Sequence, residues 1–271
     1  MPELPEVETT RRGIAPLVTG RRVASVVVRE PRLRWPVPAA LARGLTGQVI
    51  RSVERRAKYL LLRTAAGTAI IHLGMSGSLR LAAAADAPGA YDHVDIVFDD
   101  ATSLRLRDPR RFGAVLWTTK PAEVHPLLQG LGPEPLDGAF DGDALYSRSR
   151  GRRAPVKAFL MDSRVVAGLG NIYVNEALHR AGVHPARAAG RISRARYAAL
   201  ARNIRATLED ALTAGGTTLR DFRAADGSPG YFAQRLRVYG REGEPCMRCR
   251  APLRRRVIAQ RSSFYCPRCQ R

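Results

Sequence analysis

The 271-residue sequence predicts an α+β multidomain chain: an antiparallel β-sandwich entered by an N-terminal helix, then a helical domain, then a small C-terminal hairpin module. Three observations predict it. Apolar and β-branched residues alternate in short runs near 21–29, 49–63, 68–81, 93–99, 102–107 and 113–118, separated by turns rich in Gly, Pro and Asp, as in an antiparallel sandwich or barrel. After Pro133-Glu134-Pro135 and the Asp/Gly cluster from Asp137 to Asp143 the apolar period becomes helical. All four cysteines then fall between 246 and 269. These breaks suggest domains at 1–135, 136–230 and 237–271.

The opening helix is marked by Pro5 near its first turn, by Glu3, Glu6 and Glu8 toward its positive end, and by Arg11 and Arg12 toward its negative end. Leu4, Val7 and Ile14 form its buried face. The strands follow, with Ala82–Ala87 as a loop. Helices are expected over 154–167, 171–181 and from the N-cap Ser193 to Gly215-Gly216, with Tyr197, Leu200, Ile204, Leu208 and Leu212 on one face. Helical character extends to about 222.

Charge narrows the function classes. A formal net charge of +21 and a pI near 11.2 are too large for an enzyme of neutral metabolites and point to a polyanionic partner. The basic residues are scattered and not gathered on one amphipathic helix, which favours nucleic acid over a membrane surface. No run approaches the ~18 apolar residues of a membrane span, and no charged-then-apolar leader is present. A soluble, cytoplasmic protein is expected. Three of the 45 basic side chains are lysines, Lys58, Lys120 and Lys157. Where arginine supplies charge so freely, a retained lysine suggests use of its compact, deprotonatable amine.

The cysteines read Cys246-x-x-Cys249, sixteen residues, then Cys266-x-x-Cys269. Two knuckles of this spacing can surround one tetrahedral zinc; the alternative is a pair of disulfides. Four cysteine ligands leave no open position, so the metal is expected to be structural. The segment between the knuckles carries Arg254, Arg255, Arg256 and Arg261, suited to phosphate.

Other stretches suggest chemistry. Removal of Met1 would leave Pro2 with a free secondary amine able to attack a sugar C1′ and form an iminium, and Glu3 beside it could move protons. An ordinary helix start would read the same way. Met75, between Gly74 and Gly77, and Phe112, after Arg110 and Arg111, could act as apolar wedges, or could pack in a core. Asn171, after Gly168 and Gly170, could cap a helix beginning at Ile172 and offer N–H groups to phosphate. His72, Arg153 and Lys157 are further phosphate or lesion-pocket candidates, or merely surface charge.

The chain resembles the bacterial formamidopyrimidine-DNA glycosylases over nearly its whole length. The resemblance rests on Pro2-Glu3-Leu4-Pro5-Glu6-Val7-Glu8, Arg55-Arg56-Ala57-Lys58-Tyr59-Leu60, His72-Leu73-Gly74-Met75-Ser76-Gly77-Ser78-Leu79, Asp108-Pro109-Arg110-Arg111-Phe112-Gly113, Gly170-Asn171-Ile172-Tyr173, Gly215-Gly216-Thr217-Thr218-Leu219, Pro229-Gly230-Tyr231-Phe232 and the zinc ribbon. It implies a helix-two-turns-helix motif in the middle domain and duplex DNA in the cleft between domains. It also implies base-excision repair of 8-oxoguanine and formamidopyrimidines with apurinic-site lyase activity, by a monomer holding one structural zinc. By resemblance Pro2 is the nucleophile, Glu3 the proton donor and acceptor, Lys58 the proton donor in β-elimination, and Arg261 the residue of δ-elimination. Met75 and Phe112 fill the gap left by the extruded base, and Arg110 meets the orphaned cytosine. Tyr91 stands where the family carries a histidine and is kept as a DNA contact, while Arg220 replaces a frequent lysine. Gly215 to Tyr231 would close over the extruded base. A non-enzymatic alternative, a basic zinc-ribbon DNA-binding protein, would need neither Pro2-Glu3 nor Lys58.

Overall fold

The computed structural model describes residues 2–216 and 236–271. The motif Pro229-Gly230-Tyr231-Phe232, Arg220, most of the expected closing loop and the expected helical extension to about 222 lie outside the described residues. Two compact units are present, one built on residues 2–129 and 214–216, the other on Gly130–Thr213 and the chain from Leu236 to Arg271.

The first unit runs α1 (Leu4–Val18), β1 (Val23–Val28), α2 (Ala39–Leu45), β2 (Ser52–Arg56), β3 (Tyr59–Arg63), β4 (Thr68–His72), β5 (Ser78–Ala83), β6 (Asp92–Phe98), β7 (Thr102–Arg107) and β8 (Ala114–Thr118). The strands make two four-stranded antiparallel sheets, ordered β1-β6-β7-β5 and β2-β3-β4-β8. Period-two alternation sends Leu60 and Leu62 of β3 and Ala69 and Ile71 of β4 into one core with Val94 and Ile96 of β6 and Leu104 and Leu106 of β7. Val7, Ile14 and Val18 of α1 join it at helical spacing. Each such side chain, fully removed from water, stabilises the fold by about 1.5–3 kcal/mol. The expected sandwich with an N-terminal helix is thus the architecture of this unit.

Two expected strands are each divided. The run 49–63 breaks at the two-residue turn Ala57-Lys58, where Ala57 takes a left-handed φ of 52° and Arg56 pairs with Tyr59. The run 68–81 breaks at residues 73–77, where Gly74 has φ 63° and the Gly77 N–H returns to the Leu73 carbonyl at 2.8 Å. α2 had no sequence signal beyond two leucines, Leu41 and Leu45, which it buries.

The second unit holds α3 (Gly142–Ser149), α4 (Val156–Met161), α5 (Asn171–Arg180), α6 (Arg194–Thr213), β9 (Arg254–Ile258) and β10 (Arg261–Tyr265). α6 buries Tyr197, Leu200, Ile204 and Leu208 as its pattern predicts, and the N–H of Arg196 reaches the Ser193 hydroxyl at 3.4 Å. α3 was not anticipated, although Asp141 caps it by accepting the Ala144 N–H at 2.7 Å. α4 stops at Met161, not 167, because the N–H groups of Val165 and Val166 both turn back to the Asp162 carbonyl.

The close approach of two turns in the first unit is testable. A Cβ on Gly74 would stand 2.5 Å from the Gly113 nitrogen and 2.6 Å from the Phe112 carbonyl oxygen, and its backbone disfavours any L side chain. Gly74→Ala is expected to lower the unfolding free energy by at least ~1–3 kcal/mol, read from chemical denaturation. An unchanged midpoint would mean that the two turns do not touch.

Candidate active site and nucleic-acid interface

Strand register gathers Lys58, His72, Met75, Arg110 and Phe112 at one end of the second sheet. Arg56 pairs with Tyr59, Tyr59 with His72, and His72 with Ala114. The turn carrying Lys58, the turn carrying Met75 and the segment carrying Arg110 and Phe112 therefore leave the sheet at the same edge. α1 is tied to this end by Glu8, which accepts Arg55 Nε at 3.1 Å, while Arg55 Nη1 donates to the Ala57 carbonyl at 3.0 Å. Arg55 thus spends its charge on Glu8.

Pro2 is buried and Glu3 is 2% exposed. The N–H of Glu3 donates to Glu6 Oε2 at 2.8 Å. That N–H belongs to the Pro2–Glu3 peptide, so Glu6 fixes the plane from which the Pro2 ring projects. Sequence reasoning gave Glu6 only a dipole role; its placement three residues after the N-cap, the capping-box position, was the available signal.

His72 is half-buried and neutral. Burial, with help from the charges of Lys58 and Arg34, holds it down at about 4. Its Nδ1 accepts the Gly74 N–H at 3.0 Å, so the proton sits on Nε2, leaving a neutral donor. His72 also packs against Tyr59 in a tilted ring contact, centroids 4.9 Å apart.

Met75, Tyr91 and Phe112 are 38%, 46% and 43% exposed, which removes the core-packing alternative for Met75 and Phe112. The Arg110 guanidinium lies 5.0 Å over the Phe112 ring, and that of Arg107 5.5 Å over Tyr91. Arg111 is held separately, by Glu30 at 3.1 Å. Asp108, which the sequence did not single out, joins the turns that carry Met75 and Phe112. Fully buried, its carboxylate accepts the Ser76 hydroxyl at 3.1 Å and the Gly113 N–H at 2.7 Å. Its backbone carbonyl accepts the Arg111 N–H.

In the second unit Arg153 is exposed. Lys157 is not a surface charge: it is 1% exposed, and its Nζ donates to the Ser262 carbonyl at 2.8 Å and the Ser263 hydroxyl at 2.7 Å. The cause is α4, which turns this side chain under the hairpin. Asn171 is the first residue of α5 and not its cap, a position taken by Gly170. Its Nδ2 donates to the Ser262 carbonyl at 3.2 Å. β9 and β10 close through Ala259 and Gln260, both left-handed at φ 48° and 58°, which puts Arg261, exposed, just after the hairpin tip.

The four cysteine sulfurs lie within 4.8 Å of one another. Sulfurs about 2.3 Å from one zinc form a tetrahedron with edges of roughly 3.8 Å, and Cys249–Cys266 and Cys246–Cys269 are 3.4 and 4.0 Å apart. All four thiols are free, so the disulfide alternative fails. Burial and hydrogen bonds from Cys249 and Cys266 push Cys269 up to about 12, whereas a backbone N–H draws Cys249 down to about 7. Four thiols at this spacing cannot all ionise unless a cation sits among them. Cys246, Cys249, Cys266 and Cys269 fit one structural zinc and leave no position for substrate. No helix among the described residues is long and apolar enough to cross a membrane.

The model of the formamidopyrimidine-DNA glycosylase N-terminal domain matches residues 1–115, that of the H2TH domain of the same family residues 131–223, and that of the zinc finger found in FPG and IleRS residues 243–271. A formamidopyrimidine-DNA glycosylase of Alkalilimnicola ehrlichii is 62% identical over 277 aligned positions that cover all of both chains. Among solved structures, the MutM (Fpg) protein of Thermus thermophilus superposes with a TM-score of 0.90 at 41% identity, covering 99% of this chain and 98% of its own. A Lactococcus lactis Fpg mutant in complex with Fapy-dG containing DNA gives a TM-score of 0.92 at 34% identity over the whole of both chains.

Two measurements test this geometry. Cys249→Ser should lose zinc and unfold the hairpin while the sandwich persists, because metal binding supplies the folding free energy of so small a module; metal analysis and circular dichroism would read both, and wild-type protein without zinc would refute the assignment. For His72, the unfolded chain takes up a proton below about pH 6.5, which the folded protein resists until about 4. Stability should therefore fall as pH drops across that window, and His72→Gln should flatten the fall. Parallel stability curves for the two proteins would remove the neutral-histidine reading.

Proposed function

Because the chain belongs to the formamidopyrimidine-DNA glycosylase family, we propose that it excises 8-oxoguanine and formamidopyrimidines from duplex DNA and then cuts the strand at the resulting abasic site. The observation that carries this reading is the convergence of Lys58, Met75, Arg110 and Phe112 on the sheet edge to which Glu8 ties α1. Freed of Met1, the Pro2 nitrogen attacks C1′ of the damaged nucleotide. The glycosidic bond breaks, the base departs with a proton, and Glu3 serves the sugar ring-opening that leaves an iminium on Pro2. Loss of a C2′ proton expels the 3′ phosphate in β-elimination, with Lys58 returning a proton. A second elimination releases the 5′ phosphate. Arg261 holds that phosphate by charge, since a guanidinium is too weak an acid to donate readily.

The base must leave the stack to be reached. Exposed Met75 and Phe112 are the side chains we assign to the vacated space, and Arg110, stacked on Phe112, to the orphaned cytosine. His72 serves phosphate as a neutral Nε2–H donor, Arg153, Asn171 and Tyr91 contact the backbone, and Lys157 acts indirectly by bracing the hairpin. The protein is proposed to work as a cytoplasmic monomer on nucleoid DNA, with domain limits near 135 and 237.

Borohydride trapping tests the nucleophile. Pro2→Gly replaces the secondary amine by a primary one and should keep some covalent adduct, whereas an uncleaved tag ahead of Pro2 makes the nitrogen an amide and should abolish it. Full lyase activity in the tagged protein, or no adduct with the processed wild type, would leave a DNA binder at most.

Arg110 and Arg153 separate specificity from affinity. Arg110→Ala should lower the preference for cytosine over adenine opposite 8-oxoguanine by roughly ten- to a hundredfold, the ~1–3 kcal/mol of a specific base contact. Arg153→Ala should weaken all duplexes alike and make the salt dependence shallower by about one counterion. Single-turnover rates and binding at several salt concentrations read both. Equal losses opposite cytosine and adenine in the Arg110 variant would reduce it to a phosphate clamp.

A further inference from the structure

α5 turns one polar face to the finger, and three of its residues make ordinary contacts there. Asn171 reaches the Ser262 carbonyl, Asn175 Oδ1 accepts the Phe264 N–H at 2.9 Å, and Glu176 accepts the N–H groups of Arg237, Val238 and Tyr239 at 2.9, 3.0 and 2.9 Å. The next residue on this face is different. His179 is fully buried, its Nε2 lies 3.6 Å from Cys246 Sγ, and its Nδ1 has no hydrogen-bond partner among the described residues. Its neighbourhood is also fastened from the other side: Arg248, inside the first knuckle, donates to the carbonyls of His179 and Arg180, each at 3.2 Å.

A neutral imidazole carries one N–H, and leaving that donor buried without an acceptor costs free energy. The only ring nitrogen with a polar neighbour is Nε2, and that neighbour is a zinc ligand. A metal-bound cysteine is a thiolate, which accepts and cannot donate. The proton therefore belongs on Nε2 and points at sulfur, while Nδ1 is the orphan. We propose that His179 is a positioning residue for the zinc site, donating Nε2–H to the Cys246 thiolate and so making metal retention depend on α5. The hydrogen bond spreads part of the negative charge that four thiolates place around one divalent ion. It also gives α5 a direct stake in the loaded site, which a finger held only by backbone contacts would not have. The inference rests on the zinc site and not on the base-excision reading.

The test uses the full-length protein, first shown to carry its zinc, with His179→Phe, which keeps a ring without a donor, and His179→Gln, which keeps an N–H. Competition against a chromogenic chelator should show zinc held about 10–100-fold more weakly by the Phe variant. In cobalt-substituted protein the sulfur-to-metal charge-transfer band should move to lower energy, because an unbonded thiolate gives up its electrons more easily. The Gln variant should recover much of both. Unchanged affinity and band in the Phe variant would overturn the proposal, as would a loss of stability with an unmoved band, the mark of packing alone. Should the Phe variant fail to fold, wild-type protein loaded with cadmium-113 decides: nitrogen NMR should find the Nε2–H tautomer of His179 with a scalar coupling from its proton to the metal. An Nδ1–H tautomer would overturn it.

Discussion

Excess positive charge is the constraint under which this chain folds. It carries 45 basic side chains against 24 acids, so self-repulsion opposes compaction and each carboxylate is needed where guanidinium groups crowd. Glu8, 8% exposed, takes Arg11, Arg12 and Arg55 together. Burial alone would raise its carboxyl, but hydrogen bonds from Arg11 and Arg12 outweigh that and bring it below its ordinary value. Asp95, almost inaccessible, does the same for Arg29 and Arg105. Such pairs add little net stability beyond what an apolar replacement would give, yet removing one partner strands a buried charge at a cost of about 3–5 kcal/mol. The consequence is a sorting. Arg110, Arg153, Arg254, Arg256 and Arg261 are among the many cations that form no ion pair among the described residues, and so are left to meet a polyanion.

The second regularity is conformational. Ala57 precedes Lys58, Gly74 precedes Met75, Arg111 lies between Arg110 and Phe112, and Gln260 precedes Arg261, and every one of these neighbours has a left-handed backbone. A residue after such a turn points away from the strand it would otherwise continue, so its side chain escapes the alternation that would bury it or pair it. For non-glycine residues this costs of order 1–3 kcal/mol each and persists only where surrounding bonds enforce it. Here the bonds are visible. Arg55 holds the Ala57 carbonyl, Asp108 holds the residues on either side of Phe112, and His72 holds the Gly74 N–H.

Legibility in the sequence followed the range of the interaction. The sandwich, the long helix α6, the cysteine knuckles and the exposed apolar side chains Met75 and Phe112 were readable because period, spacing and turn residues are local. What escaped depends on partners far along the chain. Lys157 looked like a surface lysine because nothing near it reveals that its ammonium meets Ser262 and Ser263, 105 and 106 residues later. Asn171 sat beside glycines that fit a cap, but its side chain is drawn to the hairpin instead. The divided strands were missed because β-branched patterning runs straight through Ala57, whose left-handed φ no alanine advertises. α2 and α3, with seven and eight residues, are too short for a helical period to emerge.

Those long-range contacts also determine how the hairpin can act. A two-stranded hairpin of five-residue strands is at best marginal alone, and its own buried cluster amounts to Val238, Leu253 and the cysteines, with Phe264 packed at its edge. Metal ligation closes the knuckles, but it does not by itself aim the tip. Aim comes from α4 and α5: Lys157 and Asn171 grip the strand after the turn at Ser262, Asn175 grips it again at Phe264, and Glu176 collects three N–H groups of the incoming chain. These grips fall at Ser262, immediately after Arg261, and two residues further on. The arginine therefore inherits its position from two helices, and little of its placement is left to be fixed on binding. A side chain so prepositioned loses less entropy when it meets a phosphate than one on a free hairpin would. The finger is thus fastened along the polar face of α5, and of the two only the hairpin tip stands exposed.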